Sequence, residues 1–554
     1  MKQSHPRRMH RVAMAIAWLG LGVAHAALAA DDLQRPAPAR PLASDPAALP
    51  QLPAAPAPAD AGTGPSVELS RVEIDGNRQL STEMLQQQLG PVTGRRHTLA
   101  GMNALAARVM AIYREQGYPF VRAFVPPQKV EGGVLRIQVV EGVLGEARVS
   151  GTDPKVSSAQ AFVDAGLPLG EVIRDHTLER TMLLLDDQPG FKVHPVMAPG
   201  AKSGESALTV NVSRRNDYSG DVVADNAGAQ ATGRHRLRGS FSANSPWRFG
   251  DRLSVTAMVT DKHLWLGSAE YEAPLGAAGL RGQLGYSRTS YQLGDEFSAL
   301  GASGTANTAT ARLSYPLLRS QRGNVLLALS LQHKALEDRF ETLDLTKDKS
   351  SNLVLASLQF DRKDAFGGGG VTYGQVGLAA GRLGLDAGSQ PLDAATARTA
   401  GHFAKLNFDI ARIQKLPGAL SAYARLSGQK ASGNLDASEK YGIGGSLGVR
   451  AYPMGEGNGD DAWVAQLELR ADVGGVSLFA LADAGQAWAN SRPWDAASSQ
   501  RRSIAGAGLG LRWLHGAWSL ESTLAAHVKG GDAQSETRDR NPQFYVSLSR
   551  RFDG

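Results

Sequence analysis

The stretch Trp463-Val464-Ala465-Gln466-Leu467-Glu468-Leu469-Arg470-Ala471-Asp472 reads as one β-strand with two unlike faces. Because successive strand side chains point to opposite faces, the apolar face carries Trp463, Ala465, Leu467 and Leu469, opposite Gln466, Glu468, Arg470 and Asp472. The inner faces of a soluble sandwich should meet in a dry core. An apolar outside with a polar inside is typical of a transmembrane β-barrel. The stretch therefore predicts a barrel strand.

The same period of two continues over residues 215–554, in segments separated by Gly, Asp and Asn turns. A second example places four apolar residues on one face: Val325, Leu327, Leu329 and Leu331. Segments of about ten residues, with turns and longer loops, divide this region into roughly sixteen strands. We expect a transmembrane antiparallel β-barrel of sixteen strands.

A glycine-rich loop, residues 444–457, precedes the opening stretch and contains Val449-Arg450-Ala451-Tyr452. The loop is too rich in Gly to be a strand, and it places one Arg beside an aromatic residue. A polar loop on a β-scaffold is ordinarily a solvated turn. The residues alone therefore leave the role of Arg450 open.

The N-terminus has the three parts of a secretory signal. Basic residues, a short apolar run from Val12 to Val23, and the small residues Ala27–Ala30 predict a signal peptide over residues 1–30. The apolar run is shorter than the ~20 residues that span a bilayer, which disfavours a membrane anchor. Residues 31–65 are rich in Pro and Ala and are predicted to be a disordered, extended tether without a stable plug helix.

Composition argues against several functional classes. The chain has no cysteine, which fits an oxidising compartment and rules out disulfides, thiolate metal sites and thiol nucleophiles. Its 12 histidines lack metal-ligand spacing, and no phosphate loop or Gly-x-Ser-x-Gly elbow occurs. We expect no enzyme activity, no cofactor and no metal. The net charge of +6 is dispersed without a basic stripe, so nucleic-acid binding is not expected.

Between the tether and the barrel, one pattern of elements occurs twice. Residues 66–142 read as β-α-α-β-β, with helices at Thr82–Leu89 and Met102–Glu115 and a strand at Phe120–Val125. Residues 143–214 repeat the order. Two tandem copies of one α+β fold indicate a modular binding arm.

Several of these stretches resemble one family. Residues 113–121, followed by residues 134–142, look like the first polypeptide-transport-associated (POTRA) domain of two-partner secretion transporters, the TpsB family of haemolysin and filamentous-haemagglutinin exporters. Residues 225–228, 232–234, 244–246 and 250–253 resemble the start of that family's barrel, in matching order. The resemblance runs from about Val67 to Phe552. It implies two POTRA domains, over 66–142 and 143–214, before the barrel.

The resemblance implies a translocator in the outer membrane of a Gram-negative bacterium, with its POTRA domains in the periplasm. Its cargo would be an unfolded, TpsA-like exoprotein with an N-terminal secretion domain, exported without ATP. Other implied partners are outer-membrane lipid, lipopolysaccharide and, because the last strand ends on an aromatic residue, the barrel assembly machinery. Two alternatives stay open: an assembly factor that inserts other barrels, and a passive porin.

Val449-Arg450-Ala451-Tyr452 is similar to the Val-Arg-Gly-Tyr tip of the family's sixth extracellular loop. That loop folds back into the lumen, where its Arg pairs with an Asp of the inner wall, and the matching Asp here is Asp483. Alternation points Asp483 inward. Ala451 replaces a Gly and would be strained if the backbone there needs a positive φ.

The resemblance also implies that the small domains capture the cargo. We expect the Phe120–Val125 strand to be a sheet edge to which a cargo segment adds as a further strand, against the Met102–Glu115 helix. The candidate contact residues are Phe120, Val121, Ala123, Val125, Leu105, Val109 and Ile112.

Overall fold

The structure is a computed structural model that describes residues 41, 64–294, 299 and 301–554. The predicted signal peptide and nearly all of the predicted tether lie outside the described residues. Among the helices described, none has the length and apolar character to cross a membrane.

The first α+β unit, residues 66–142, is built around a three-stranded sheet. Its elements are β1 Ser66–Glu68, β2 Arg71–Asp75, α1 Thr82–Leu89, β3 Arg96–Thr98, α2 Leu99–Glu115, β4 Arg122–Phe124 and β5 Val134–Val140. In the sheet β5 lies between β2, to which it is parallel, and β4, to which it is antiparallel. Both helices begin at capping hydroxyls, Ser81 for α1 and Thr98 for α2. This leaves β4 at the edge of the sheet.

The second unit, residues 143–214, repeats this topology. Its elements are β6 Val143–Ser150, α3 Gln160–Gly166, α4 Asp175–Asp186, β7 Phe191–Pro199 and β8 Glu205–Arg214. Here β8 is central, parallel to β6 and antiparallel to β7. The repeated order predicted from the sequence is therefore present in the fold.

Sixteen strands close into an antiparallel barrel, as the sequence predicts. They are β9 Tyr218–Asp225, β10 Arg236–Asn244, β11 Arg252–Thr260, β12 Trp265–Pro274, β13 Arg281–Gln292, β14 Ala302–Arg319, β15 Gly323–Phe340, β16 Leu345–Asp364, β17 Gly370–Leu385, β18 Gly401–Lys415, β19 Leu420–Ala431, β22 Asp461–Val473, β23 Val476–Trp488, β24 Arg501–His515, β25 Trp518–Lys529 and β26 Gln543–Asp553. The short strands β20 Tyr441–Gly442 and β21 Asn458–Gly459 pair inside the β19–β22 connection, and a short helix, α5 Gln390–Ala395, lies in the β17–β18 connection.

In residues 463–472 of β22, the apolar face points outward and the polar face inward, the reverse of the arrangement in a soluble protein. Leu467 and Leu469 are more than half exposed on the outside, whereas Gln466 and Glu468 are each 5% exposed on the inside. Apolar side chains on the outside match a lipid surround, and polar side chains meet in the lumen.

The barrel closes where its last strand meets its first. β26 pairs with β9 over seven residue pairs, from Ser547↔Asp225 to Asp553↔Ser219. Beyond the ladder, the carboxamide of Asn226 donates to the Phe544 carbonyl at 3.0 Å and accepts from the Val546 amide at 2.9 Å. The seam is thus fully hydrogen-bonded over these residues.

The second unit is docked on the turns at one end of the barrel, including the turn between β10 and β11. Phe249, in the β10–β11 turn, inserts into the core of that unit, 4.7 Å from the Phe191 ring centroid and 6.0 Å from that of Phe162. Arg319, at the end of β14, donates two hydrogen bonds to the carboxylate of Asp187, at 2.8 and 2.6 Å. An aromatic core and a two-pronged ion pair therefore fix this unit to the barrel.

Candidate functional site: loop 6 in the barrel lumen

Loop 6, residues 432–460, connects β19 to β22 and is the sixth connection at the end of the barrel opposite the two units. Its tip does not extend into solvent. Val449, Ala451 and Tyr452 are completely buried, and Arg450 is 5% exposed. They lie against inward-facing residues of β22–β25, including Val464, Leu481, Ile504 and Ala525. The loop is folded into the lumen.

Arg450 contacts Asp483 on the inner wall. The guanidinium donates from Nε to Oδ2 at 2.8 Å and from Nη2 to Oδ1 at 2.7 Å, while the Arg450 backbone amide donates to the same Oδ2 at 3.1 Å. Asp483 lies on β23, directly opposite Gln466 of β22. This two-pronged geometry fixes the direction of the loop as well as its position.

A second carboxylate, Glu468, extends this contact into a charge network. The Nη1 atom of Arg450 donates to Glu468, and Glu468 also accepts from Arg470 at 2.7 Å and from Arg512 at 2.9 Å. Three guanidiniums and two carboxylates therefore share one buried site. Sequence reasoning placed Glu468 and Arg470 on the inward face but did not assign them to the site.

Tyr452 attaches the loop to the last two strands. Its hydroxyl lies within 2.9 Å of the Lys529 carbonyl and 2.8 Å of the Gly531 carbonyl, its own carbonyl accepts from the Tyr545 hydroxyl at 2.8 Å, and its ring stacks on His527. The hydroxyl and the carbonyl of Tyr452 thus bind the loop to β25 and β26, in addition to the contact of Arg450 with β23.

Ala451 is accommodated without backbone strain, because it is not among the residues with positive φ. Its methyl group faces Gly506 on β24, where a Cβ atom would approach the Ala451 Cβ to 2.2 Å. The glycine makes the room that the alanine needs. This pair explains how the loop carries Ala at a position where the resembling motif has Gly.

Residues 434–441, in the first half of loop 6, are named the arm. It reaches the opposite side of the lumen, where Glu439 lies 3.1 Å from Lys334 Nζ of β15 and 2.8 Å from Lys405 Nζ of β18. Asp436 lies 3.0 Å from Lys349 Nζ of β16. Burial alone would raise the pKa of the Glu439 carboxyl, but the two lysines outweigh burial and lower it to about 2. No local pattern in the sequence predicts these contacts.

The predicted cargo contacts divide into three groups in the structure. Val109, Ile112, Val121 and Ala123 are buried in the first unit's own core, and Leu105 and Val125 are half-buried against it. Phe120 instead packs against the core of the second unit. The structure brings most of these residues together as a core, and the accessible part of the predicted groove is the edge of β4 with Leu105 and Val125. Phe124, on the same edge strand, is exposed on the opposite face of the sheet.

Comparisons with known proteins agree with this architecture. The family model described as haemolysin secretion/activation protein ShlB/FhaC/HecB matches residues 204–513, and that of the ShlB-type POTRA domain matches residues 67–142. The heme/hemopexin transporter protein HuxB of Haemophilus influenzae is 24% identical over 501 residues, covering 87% of each chain.

Among solved structures, CdiB from Escherichia coli superposes with a TM-score of 0.69 at 20% identity, covering 94% of this chain and 95% of CdiB. BamA from Haemophilus ducreyi, lacking POTRA domains 1–3, superposes at 0.53 with 13% identity, covering 88% of this chain and all of that one. At these identities the likeness concerns the fold alone. The family matches show that the chain belongs to the haemolysin secretion/activation protein ShlB/FhaC/HecB family, the outer-membrane transporters of two-partner secretion.

Proposed function

We propose that this protein captures one unfolded exoprotein in the periplasm and exports it through its own barrel. The observation that carries the proposal is the closed barrel whose loop 6 is held in the lumen by Arg450, with two α+β units at the near end. The barrel lies in the outer membrane and the POTRA region in the periplasm. A cargo bound by the units is thus delivered to the mouth of the lumen.

Cargo capture is assigned to the edge of β4 in the first unit. β4 pairs on one side only, with β5, so the backbone groups on its other side are free to accept a further strand within the described part of the sheet. Backbone pairing of this kind tolerates sequence variation, and exposed side chains beside the edge supply selectivity. Phe124 is the exposed aromatic residue of this edge.

Phe124→Ala should weaken cargo binding about tenfold, since burying an aromatic side chain contributes about 1.5–3 kcal/mol and only part of the ring is covered. The measurement is the affinity of the full-length protein for the N-terminal secretion region of the cargo. Val196→Ala is the matched control, because Val196 is equally exposed on the edge strand β7 of the second unit. Equal losses in the two variants would move the capture site away from β4.

Export must draw its energy from the cargo, because the periplasm supplies no ATP. A cargo that enters unfolded and folds outside is withdrawn from the lumen by mass action. A cargo whose passenger cannot fold should therefore leave the cell more slowly. Undiminished export of such a cargo would contradict the proposal that folding outside the cell drives export in one direction.

The seam disfavours the assembly-factor alternative. A barrel that hands strands to another barrel must expose an edge in the membrane, and here β26 and β9 are joined over seven residue pairs. Loop 6, which occupies the lumen, and the docked units disfavour a passive porin. The outward leucines would contact lipid and lipopolysaccharide, and the aromatic end of β26 would be recognised by the assembly machinery.

Deletion of the gene tests the proposal directly. The expected result is loss of one large exoprotein from the medium, with the amounts of other outer-membrane barrels unchanged. The gene beside this one is the first place to search for that exoprotein. A general loss of barrels would favour the assembly factor, and unchanged secretion would refute the proposed function.

A further inference from the structure

The surroundings of loop 6 differ between the two sides of the lumen. Against β22–β25 the loop packs in an apolar cluster that contains the fully buried Ile443, Val449 and Tyr452. Against strands β14–β19, called the long wall here, a cavity of about 270 Å³ separates the loop from the barrel. This volume is large enough for several waters. This cavity lies along the long wall.

The long wall presents carboxamides to this cavity. Gln332, Gln375 and Asn407 line it, and the side-chain oxygen of Asn407 is buried without a hydrogen-bond partner among the described residues. An extended polypeptide carries one N–H donor and one C=O acceptor at each residue. A carboxamide has both a donor and an acceptor, so it can hydrogen-bond the backbone of any sequence. The long wall is therefore suited to contact with a passing polypeptide backbone.

The charge of the cavity lining is positive. Its cations are Arg312, Lys334, Lys405, Arg425 and Lys440, and its anions are Asp409 and Glu439. Five cations against two carboxylates leave a formal charge of +3. Arg425 is neutralised by Asp409, and Lys334 and Lys405 by Glu439 of the arm. Removal of the arm would take both Glu439 and Lys440 out of the lining, so the charge would stay at +3 while Lys334 and Lys405 lost their carboxylate partner.

A volume of about 270 Å³ is smaller than one turn of a helix, which is a cylinder about 10–12 Å across and about 5.4 Å long. An extended chain also needs more room than the resting cavity offers along the arm, because Glu439 bridges the lysines of β15 and β18. Glu439 and Asp436 of the arm pair with lysines of the long wall, and Arg450 pairs with β22 and β23. Two other residues of the arm, Asn434 and Lys440, hydrogen-bond the β23–β24 connection. The two sets of ion pairs share no residue, so Glu439 and Asp436 can leave the wall lysines without breaking the Arg450 contact.

We infer that the cargo crosses as an extended, neutral to acidic chain along the long wall, and that the arm leaves Lys334 and Lys405 to admit it while the Arg450 end stays attached. This inference rests on the proposed function and specifies the path and the chemistry of what passes. The unoccupied lysines would attract acidic segments of the chain at the moment the arm is displaced.

The absence of cysteine makes the path testable in planar bilayers with the full-length protein. Gln375→Cys should lose most of its conductance on reaction with a charged methanethiosulfonate, to which the cysteine-free parent is inert. Leu378→Cys, farther along the same strand, is the lipid-side control and should not respond, because Leu378 is 61% exposed and does not line the cavity. Block of Thr523→Cys on the opposite wall, with Gln375→Cys unaffected, would overturn the inference.

The arm and the charge are tested in the same bilayers. Glu439→Gln should raise the mean current several-fold by releasing the arm, whereas Glu337→Gln, on the outer face of β15, should not. Current through Glu439→Gln should be anion-selective and should be blocked by polyglutamate more strongly than by polylysine. Cation selectivity, or an unchanged current in Glu439→Gln, would overturn the inference. Failure of the proposed function would appear separately, as unchanged secretion after gene deletion.

Discussion

Replacement of Arg450 by alanine should abolish export while leaving the barrel closed. The change leaves Asp483 and Glu468 without their shared partner at sites only 3% and 5% exposed. Removing one member of a buried ion pair costs about 3–5 kcal/mol, because the remaining charge is unpaired. That cost falls on the attachment of loop 6 and not on the strand ladders. The measurement is cargo in the medium, with heat-modifiable gel mobility as the test of barrel folding.

Asp483→Ala should reproduce this phenotype, because it removes the two-pronged acceptor of the same contact. Lys430→Ala is the control: it removes an ion pair with Asp461 in which the lysine side chain is 70% exposed. Exposed pairs contribute about 0–1 kcal/mol, so export should stay normal. Near-normal export in both Arg450→Ala and Asp483→Ala would show that export does not need the contact between these two residues.

Phe249→Ala should have the second-largest effect, through the joint between the second unit and the barrel. Truncating a buried phenylalanine costs about 3–5 kcal/mol, and here the ring lies between Phe191 and Phe162. The expected outcome is a barrel of normal gel mobility whose second unit is cleaved faster by protease added to the periplasmic side. Export should fall in parallel, because cargo is no longer delivered to the lumen.

Trp247→Ala tests whether this effect is specific to the joint. Trp247 belongs to the same β10–β11 turn but is 62% exposed and packs only on Tyr271 among the aromatic residues described. Its truncation should leave protease resistance and export close to normal. If both variants behave alike, the turn matters for folding of the barrel and not for docking.

The spacing of apolar side chains along the sequence predicted most of the fold. Helix α1 begins and ends at the predicted residues, Thr82 and Leu89, and the alternation around Leu467 correctly set the lipid and lumen faces. Alternation also points Asp483 inward, where the structure places it. Such features depend on side-chain period alone, which a single stretch of sequence contains.

Features that depend on register across the barrel were not predictable. Glu439 meets Lys334 and Lys405 only because the arm crosses the lumen, and Phe249 joins a core built from another unit. The helix period of α2 identified its apolar face but could not tell whether Val109 and Ile112 face a groove or the unit's own core. Long-range packing decides these points, and it is absent from local pattern.

Ring closure also governs how the molecule comes apart. In an open sheet the outermost strand can fray alone, whereas every strand of this ring, including β9 and β26, is bonded on both sides. Peeling any one strand must break two ladders before any conformational entropy is recovered, so the barrier to unfolding is high. The lifetime of the folded barrel is therefore governed by its rate of unfolding and not by its equilibrium stability alone.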